Sequence, residues 1–302
     1  MINSNALETA TRRLHGRVRS TPVLDTGSVL YKLELLQHAG SFKTRGMFNK
    51  ILAAAERGLP ASGIIAASGG NAGLAAAYAA RELGVRAEIY VPETAPPVKV
   101  AKLAKLGASV TQTGHEYAEA YAAAIVRSEE SGAVFCHAYD DADMVAGNGT
   151  LGLELLDQAS FDTVLVAVGG GGLIAGVVAA LNGKKKVVAV EPVTARALSA
   201  ALAAGAPVDV PVSGVAADSL GARRIGRIAY ETAVETSLTS VLVDDDAIVE
   251  ARRHLWDEYR LAVEHGTAAA QAALTSGAYV PAPDERVVVL LCGANTNPSD
   301  LS

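Results

Sequence analysis

Four short segments of this 302-residue chain carry residue types that could do chemistry. In Gly40-Ser41-Phe42-Lys43-Thr44-Arg45-Gly46, one lysine stands between small residues and an aromatic ring. A lysine amine kept from water loses its proton readily and can add to a carbonyl carbon as an imine. An ordinary surface lysine ahead of a helix is the plainer reading of the same residue. Ser68-Gly69-Gly70-Asn71-Ala72-Gly73 follows an apolar run and opens an alanine-rich one. Its backbone N–H groups and a helix N-terminus would together hold an anion, although a capping turn would read the same way. Gly169-Gly170-Gly171-Gly172 ends the β-branched run Val164, Val166, Val168 and leads into Leu173. Four bare residues let a backbone approach a phosphate, and a structural turn rarely needs four. Cys292-Gly293-Ala294-Asn295-Thr296 closes the apolar run Val287 to Leu291. A small polar side chain there can bond a ring nitrogen, whereas a lone cysteine is commonly just buried. Gly170-x-Gly172-x-x-Ala175 with Glu191 also fits the dinucleotide fingerprint, which would make the chain a nicotinamide-dependent oxidoreductase. That reading leaves the first two segments without a role.

The elements that must position these segments alternate along the chain. Strands are predicted over 63–67, 87–91, 109–112, 133–136, 163–168, 186–190 and 286–291. Helices are predicted over 71–83, 97–106, 117–130, 147–158, 173–181, 246–259 and 266–275, and a surface loop over 204–213. Such alternation means parallel sheets with helices on both faces, where ligands bind at strand-to-helix turns. Half the residues are hydrophobic and 19% charged, which excludes a largely disordered chain. The net charge of −6, with no basic stripe, argues against nucleic acid as the main partner. Cys136 and Cys292 give neither a disulfide framework nor zinc spacing. The uncharged run 163–181 is broken by glycines and reads as strand, loop and buried helix rather than a membrane span. The N-terminus has no secretory signal pattern, so a cytoplasmic protein is expected. The 29 glycines are above the usual share, and the excess is expected mainly at the chemical turns.

Taken in order, the segments resemble the fold type II pyridoxal-phosphate enzymes, and within them the threonine/serine dehydratase (ammonia-lyase) branch, along nearly the whole chain. The likeness is carried by Thr21-Pro22-Val23-Leu24, Lys32-Leu33-Glu34, the Lys43 and Ser68 segments, and Pro97-Val98-Lys99. Asp140-Asp141, Ala146 to Thr150, the glycine loop, Glu191-Pro192, Glu264 and Cys292-Gly293 complete it. The resemblance implies an α/β fold like that of tryptophan synthase β, with two three-layer domains built on parallel-type sheets. The larger, cofactor-binding domain would take 1–55 and 145–302. The smaller, inserted at 56–144, would carry the substrate carboxylate loop.

The resemblance also implies roles. Lys43, beside Phe42, would form an imine with pyridoxal 5'-phosphate. Gly169, Gly170, Gly171, Gly172 and Leu173 would surround the phosphate, Asn71 would bond the ring hydroxyl, and Cys292 the pyridine nitrogen. Ser68, Gly69, Gly70, Asn71 and Ala72 would hold the substrate carboxylate, with Tyr139 near the cofactor. Lys43, once displaced by an amino acid, would be the general base for its α-proton. Loss of the β-hydroxyl from L-threonine or L-serine would give a 2-oxo acid and ammonia. A neutral thiol at 292 leaves the ring nitrogen unprotonated, which disfavours transamination.

Departures narrow the expectation. Serine racemases of the group use a serine at the position of Gly69 as a second acid/base, so racemisation is not expected. Ala197 replaces an acid of their divalent-metal site, which leaves at most a monovalent cation near Glu191. Ser219 stands where many relatives have glycine. No regulatory domain or isoleucine inhibition is expected. A homodimer is implied, acting on a small amino acid, without nucleic acid or membrane. A cysteine synthase-like β-replacement enzyme is the alternative within the fold; Ser41-Phe42-Lys43 and Ser68-Gly69-Gly70-Asn71 favour the dehydratase.

Overall fold

The computed structural model describes residues 2–301. Helix α1 (Ser4–Leu14) leads into a short antiparallel pair, β1 (Val23–Asp25) and β2 (Leu30–Lys32), and then α2 (Lys43–Glu56). Alternation follows through β3 (Ile64–Ala67), α3 (Asn71–Glu82), β4 (Ala87–Val91), α4 (Pro97–Lys105), β5 (Ser109–Gln112), α5 (Tyr117–Ser131) and β6 (Val134–Phe135). Helix α6 (Ala142–Gln158) connects to β7 (Thr163–Ala167), α7 (Gly172–Leu181), β8 (Lys186–Pro192) and α8 (Ala197–Ala204). The chain ends through α9 (Ala217–Leu220), α10 (Arg227–Glu235), β9 (Thr239–Val243), α11 (Asp245–Tyr259), α12 (His265–Thr275) and β10 (Val287–Leu290).

The strands form a six-stranded sheet, ordered β1-β2-β10-β7-β8-β9, and a four-stranded sheet, ordered β5-β4-β3-β6. Every pairing is parallel except β1 with β2. Helices cover both faces of such sheets, so the central strands can be apolar throughout. All residues of β7 and β10 are buried accordingly. In the six-stranded sheet the chain leaves β7 towards β8 on one side, while β10 lies on the other. In the four-stranded sheet it leaves β3 towards β4, while β6 lies on the other side. Each is a topological switch point, where a crevice opens beyond the strands' C-terminal ends. The glycine loop follows β7, Cys292 follows β10, Ser68 follows β3, and Tyr139 follows β6.

Two expectations are corrected. Helix α6 starts at Ala142, five residues before Gly147, because Asp141 caps it by accepting from the Met144 N–H at 3.0 Å. Gly147, Gly149 and Gly152 therefore lie inside a helix. They let backbones meet: a Cβ on Gly147 would stand 2.6 Å from the Arg45 carbonyl oxygen, and one on Gly149 2.8 Å from that of Gly176. Glycine is also less concentrated at the site than expected. Of the 29, 14 have positive φ; Gly84, Gly107, Gly132 and Gly205 simply end helices in the left-handed conformation.

Candidate active site

Lys43 begins α2, and the end of β10 sets where that helix starts. The Phe42 N–H donates to the Cys292 carbonyl at 3.0 Å, and the Ala294 N–H to that of Gly40 at 2.9 Å. The approach is bent through two left-handed residues, Ala39 (φ 55°) and Gly40 (φ 73°). One half-turn on, the buried Arg45 forks onto Glu34 at 2.6 and 2.9 Å and reaches Glu154 at 2.9 Å. Glu154 also accepts from the fully buried Lys32 at 2.5 Å. Two cations thus face two carboxylates, the balance that lets charges persist in an interior. The network fixes α2 against β2 and α6. The Lys43 amine donates to the Ala138 carbonyl at 2.6 Å. Burial pushes its pKa down from 10.5 to about 8, against the opposing pull of the Glu264 carboxylate.

Lys43 opens onto a solvent-connected cleft. Phe42, Asn71, Tyr139, Gly169 to Gly172, Leu173 and Cys292 all line it. The glycines are there for room. A Cβ on Gly170 would stand 2.2 Å from the Tyr139 ring, and one on Gly172 2.5 Å from the Tyr139 carbonyl oxygen. Gly171 has φ 88°. Helix α7 starts at Gly172, so its unpaired N–H groups and positive end face the cleft. Across it, burial pushes the Cys292 thiol up to about 12, so it is neutral. Thr267 lies 3.3 Å from that sulfur and donates its one hydroxyl proton to the Gly293 carbonyl at 2.9 Å. The thiol proton can therefore point to Thr267 Oγ1 or, with a ring in the cleft, to its nitrogen. Asn71 Nδ2 lies 2.9 Å from both oxygens of Glu264, and Asn295 Nδ2 donates to Asn71 Oδ1 at 2.7 Å. Burial pushes the Glu264 carboxyl above its usual range, although Asn71 and Asn295 donate to it.

The cleft continues into an outer chamber lined by Gly69, Gly70, Asn71, Lys99, Lys102 and Asp218. Lys99 pairs with Asp218, joining α4 to α9 across the mouth. Ser68 and Ala72 line neither chamber. The Ser68 hydroxyl accepts from the Gly70 N–H at 3.2 Å, and Ala72 is in the core. Ser219 lines the inner cleft, where its Oγ accepts from the Gly266 N–H at 3.2 Å. Glu191 is elsewhere and fully buried, its two oxygens taken by the N–H groups of Leu198 and Ser199 at 2.7 and 2.8 Å. Buried and so engaged, it does not reach a ribose in the cleft, which removes the dinucleotide reading. Among the described residues no group of three or more His, Cys, Asp or Glu could hold a metal ion.

The donor set fits pyridoxal phosphate. A neutralisable amine can take the aldehyde, bare N–H groups at a helix start can take the phosphate, and a neutral thiol can face the pyridine nitrogen. Glu264, Thr267 and Asn295 had no assigned role from sequence. They are carboxylate, hydroxyl and amide at the ends of α12 and β10, and only the pairing of those ends brings them together.

Comparison with known proteins agrees. The model of the pyridoxal-phosphate dependent enzyme family matches residues 15–293. Phenylserine dehydratase of Ralstonia pickettii is 38% identical over 94% of this chain and 90% of its own length. L-threonine ammonia-lyase of Geobacter sulfurreducens is 34% identical over 97% of this chain and 76% of its own. The structure of maize serine racemase superposes with a TM-score of 0.91 at 29% identity, covering 99% of this chain and 95% of that one. With a cofactor-shaped donor set in one cleft and a family match over almost its full length, this chain belongs to the pyridoxal-phosphate dependent enzymes.

Proposed function

We propose that the protein is an ammonia-lyase that eliminates the β-hydroxyl of L-threonine and/or L-serine, leaving a 2-oxo acid and ammonia. The observation that carries this reading is the pairing of a buried Lys43 amine, neutral above about pH 8, with a neutral Cys292 thiol in one cleft. Bound pyridoxal phosphate supplies the sink for the electrons released at the substrate's α-carbon. The protein's residues do the rest. Gly169 to Gly172 bind the phosphate through N–H groups and the start of α7. Gly69, Gly70 and Asn71, at the start of α3, take the substrate carboxylate. Lys43 removes the α-proton from a fixed position. Cys292 presents no acid strong enough to protonate the pyridine nitrogen, which favours expulsion of a β-group over transamination. Gly69 offers no hydroxyl on the other face, so a proton removed by Lys43 is not replaced from there.

The family further supports a cytoplasmic homodimer, and two units, 56–144 inserted into 1–55 and 145–302. Light scattering and limited proteolysis test these assignments. The activity test is release of 2-oxo acid and ammonia across a panel of β-hydroxy amino acids. The panel includes threonine, serine and 3-phenylserine, the last because of the relative named for it. Turnover of threonine or serine is expected. No product from any member, with product formed when sulfide is added to an activated serine, would instead favour β-replacement.

A further inference from the structure

We propose that Glu264 is a positioning residue for the cofactor: it fixes the side-chain amide of Asn71 so that one N–H of that amide faces the ring hydroxyl. The inference rests on the reading of Asn71 as a ring contact. The network's orientation follows from donor and acceptor counting. Asn295 Nδ2 donates to the Ala39 carbonyl at 2.7 Å and to Asn71 Oδ1 at 2.7 Å, so both its hydrogens are committed. Turning either amide over would set oxygen against oxygen. The Asn71 nitrogen must then face Glu264, an acceptor when ionised, at 2.9 Å from each oxygen. One hydrogen serves that carboxylate; the other remains for the cleft, which Asn71 and Glu264 both line.

Glu264 is itself held in place. It is 6% exposed, and its Oε1 accepts from the Asn295 N–H at 2.9 Å. Its approach also requires Gly293 to be bare, since a Cβ there would stand 2.6 Å from Oε1. A carboxylate bonded to one amide hydrogen polarises the amide and strengthens the donor that remains.

Cofactor affinity of the apoprotein and the absorption maximum of the bound cofactor test this in Glu264→Gln, Asn71→Ala and the double variant. Each single change should weaken binding about tenfold, the scale of one hydrogen bond to a charged group, and shift the maximum. The double variant should lose no more than Asn71→Ala, because Glu264 acts through that residue. Additive losses would overturn the proposal, as would an unchanged Glu264→Gln beside an altered Asn71→Ala. If Asn71→Ala changes neither quantity, the ring contact and the proposal fall together; borohydride labelling of Lys43 reports separately on the cofactor reading. Should Glu264→Gln not fold, Gly293→Ala displaces the carboxylate instead and must reproduce the Asn71→Ala shift.

Discussion

At the residue scale, proton positions decide the chemistry. The Lys43 amine is shifted from 10.5 to about 8. Below that pH it is protonated and cannot attack an aldehyde; above it, it is neutral. Capture of pyridoxal phosphate by the apoprotein should therefore quicken as pH rises through about 8 and then level off, as stopped-flow absorbance would record. A rate still climbing towards pH 10 would mean an ordinary lysine. Lys43→Ala should cut ammonia release by at least about 10²-fold, the usual worth of a positioned base. Cys292→Ser keeps a neutral partner at the pyridine nitrogen and should stay active. Cys292→Asp should favour its protonation and slow elimination, and equal rates would refute that electronic account. At Gly69 an added Cβ would lie 3.5 Å from Val91 and 4.0 Å from Lys99, ordinary contact distances. Gly69→Ser should fold unchanged and gain serine racemisation, read by chiral chromatography.

At the element scale, short connections carry the strain and the precision. Ala39 sits in the left-handed region, which costs a non-glycine residue about 1–2 kcal/mol. Glycine there adds roughly 0.5–1 kcal/mol of chain entropy to the unfolded state. Ala39→Gly should still stabilise the protein, by about 0.5 kcal/mol, measured as a higher urea midpoint. Gly149→Ala goes the other way. Its Cβ would meet Leu7 at 2.5 Å and the Gly176 carbonyl oxygen at 2.8 Å, forcing α6 from α7 at about 1–3 kcal/mol. These elements also mark what a linear reading can reach. The glycine loop and the Lys43 segment were legible because apolar periodicity stops there and bare or basic residues begin. Strand β9 (TSVLV), half-exposed at a sheet edge, gives a weak signal and was not anticipated. Nor were α8 and α10, whose own N-cap residues make no side-chain capping bond. The role of Glu264 was hidden for another reason. It depends on Asn71, Gly293 and Asn295, and on how β10 and α12 meet, which local pattern does not encode.

At the scale of the whole molecule, the cleft exists because two switch points face each other. The six-stranded sheet supplies the glycine loop and Cys292; the four-stranded sheet supplies the Ser68 turn and Tyr139. Lys99 and Asp218 tie the two across the mouth. The strand beside β2, and the backbone that seats Lys43, both come from residues 287–294, near the far end of the chain. A polypeptide emerging from the ribosome therefore carries its lysine long before it can make it reactive. Until β10 docks, the segment that seats Lys43 has no partner, and the burial that lowers its pKa to about 8 is incomplete. In a chain cut after Arg286, labelling by pyridoxal phosphate and borohydride at neutral pH should accordingly show no preference for Lys43 over the other lysines, as peptide mapping would record. The raised nucleophilicity of Lys43 thus depends on residues that are synthesised more than two hundred positions later.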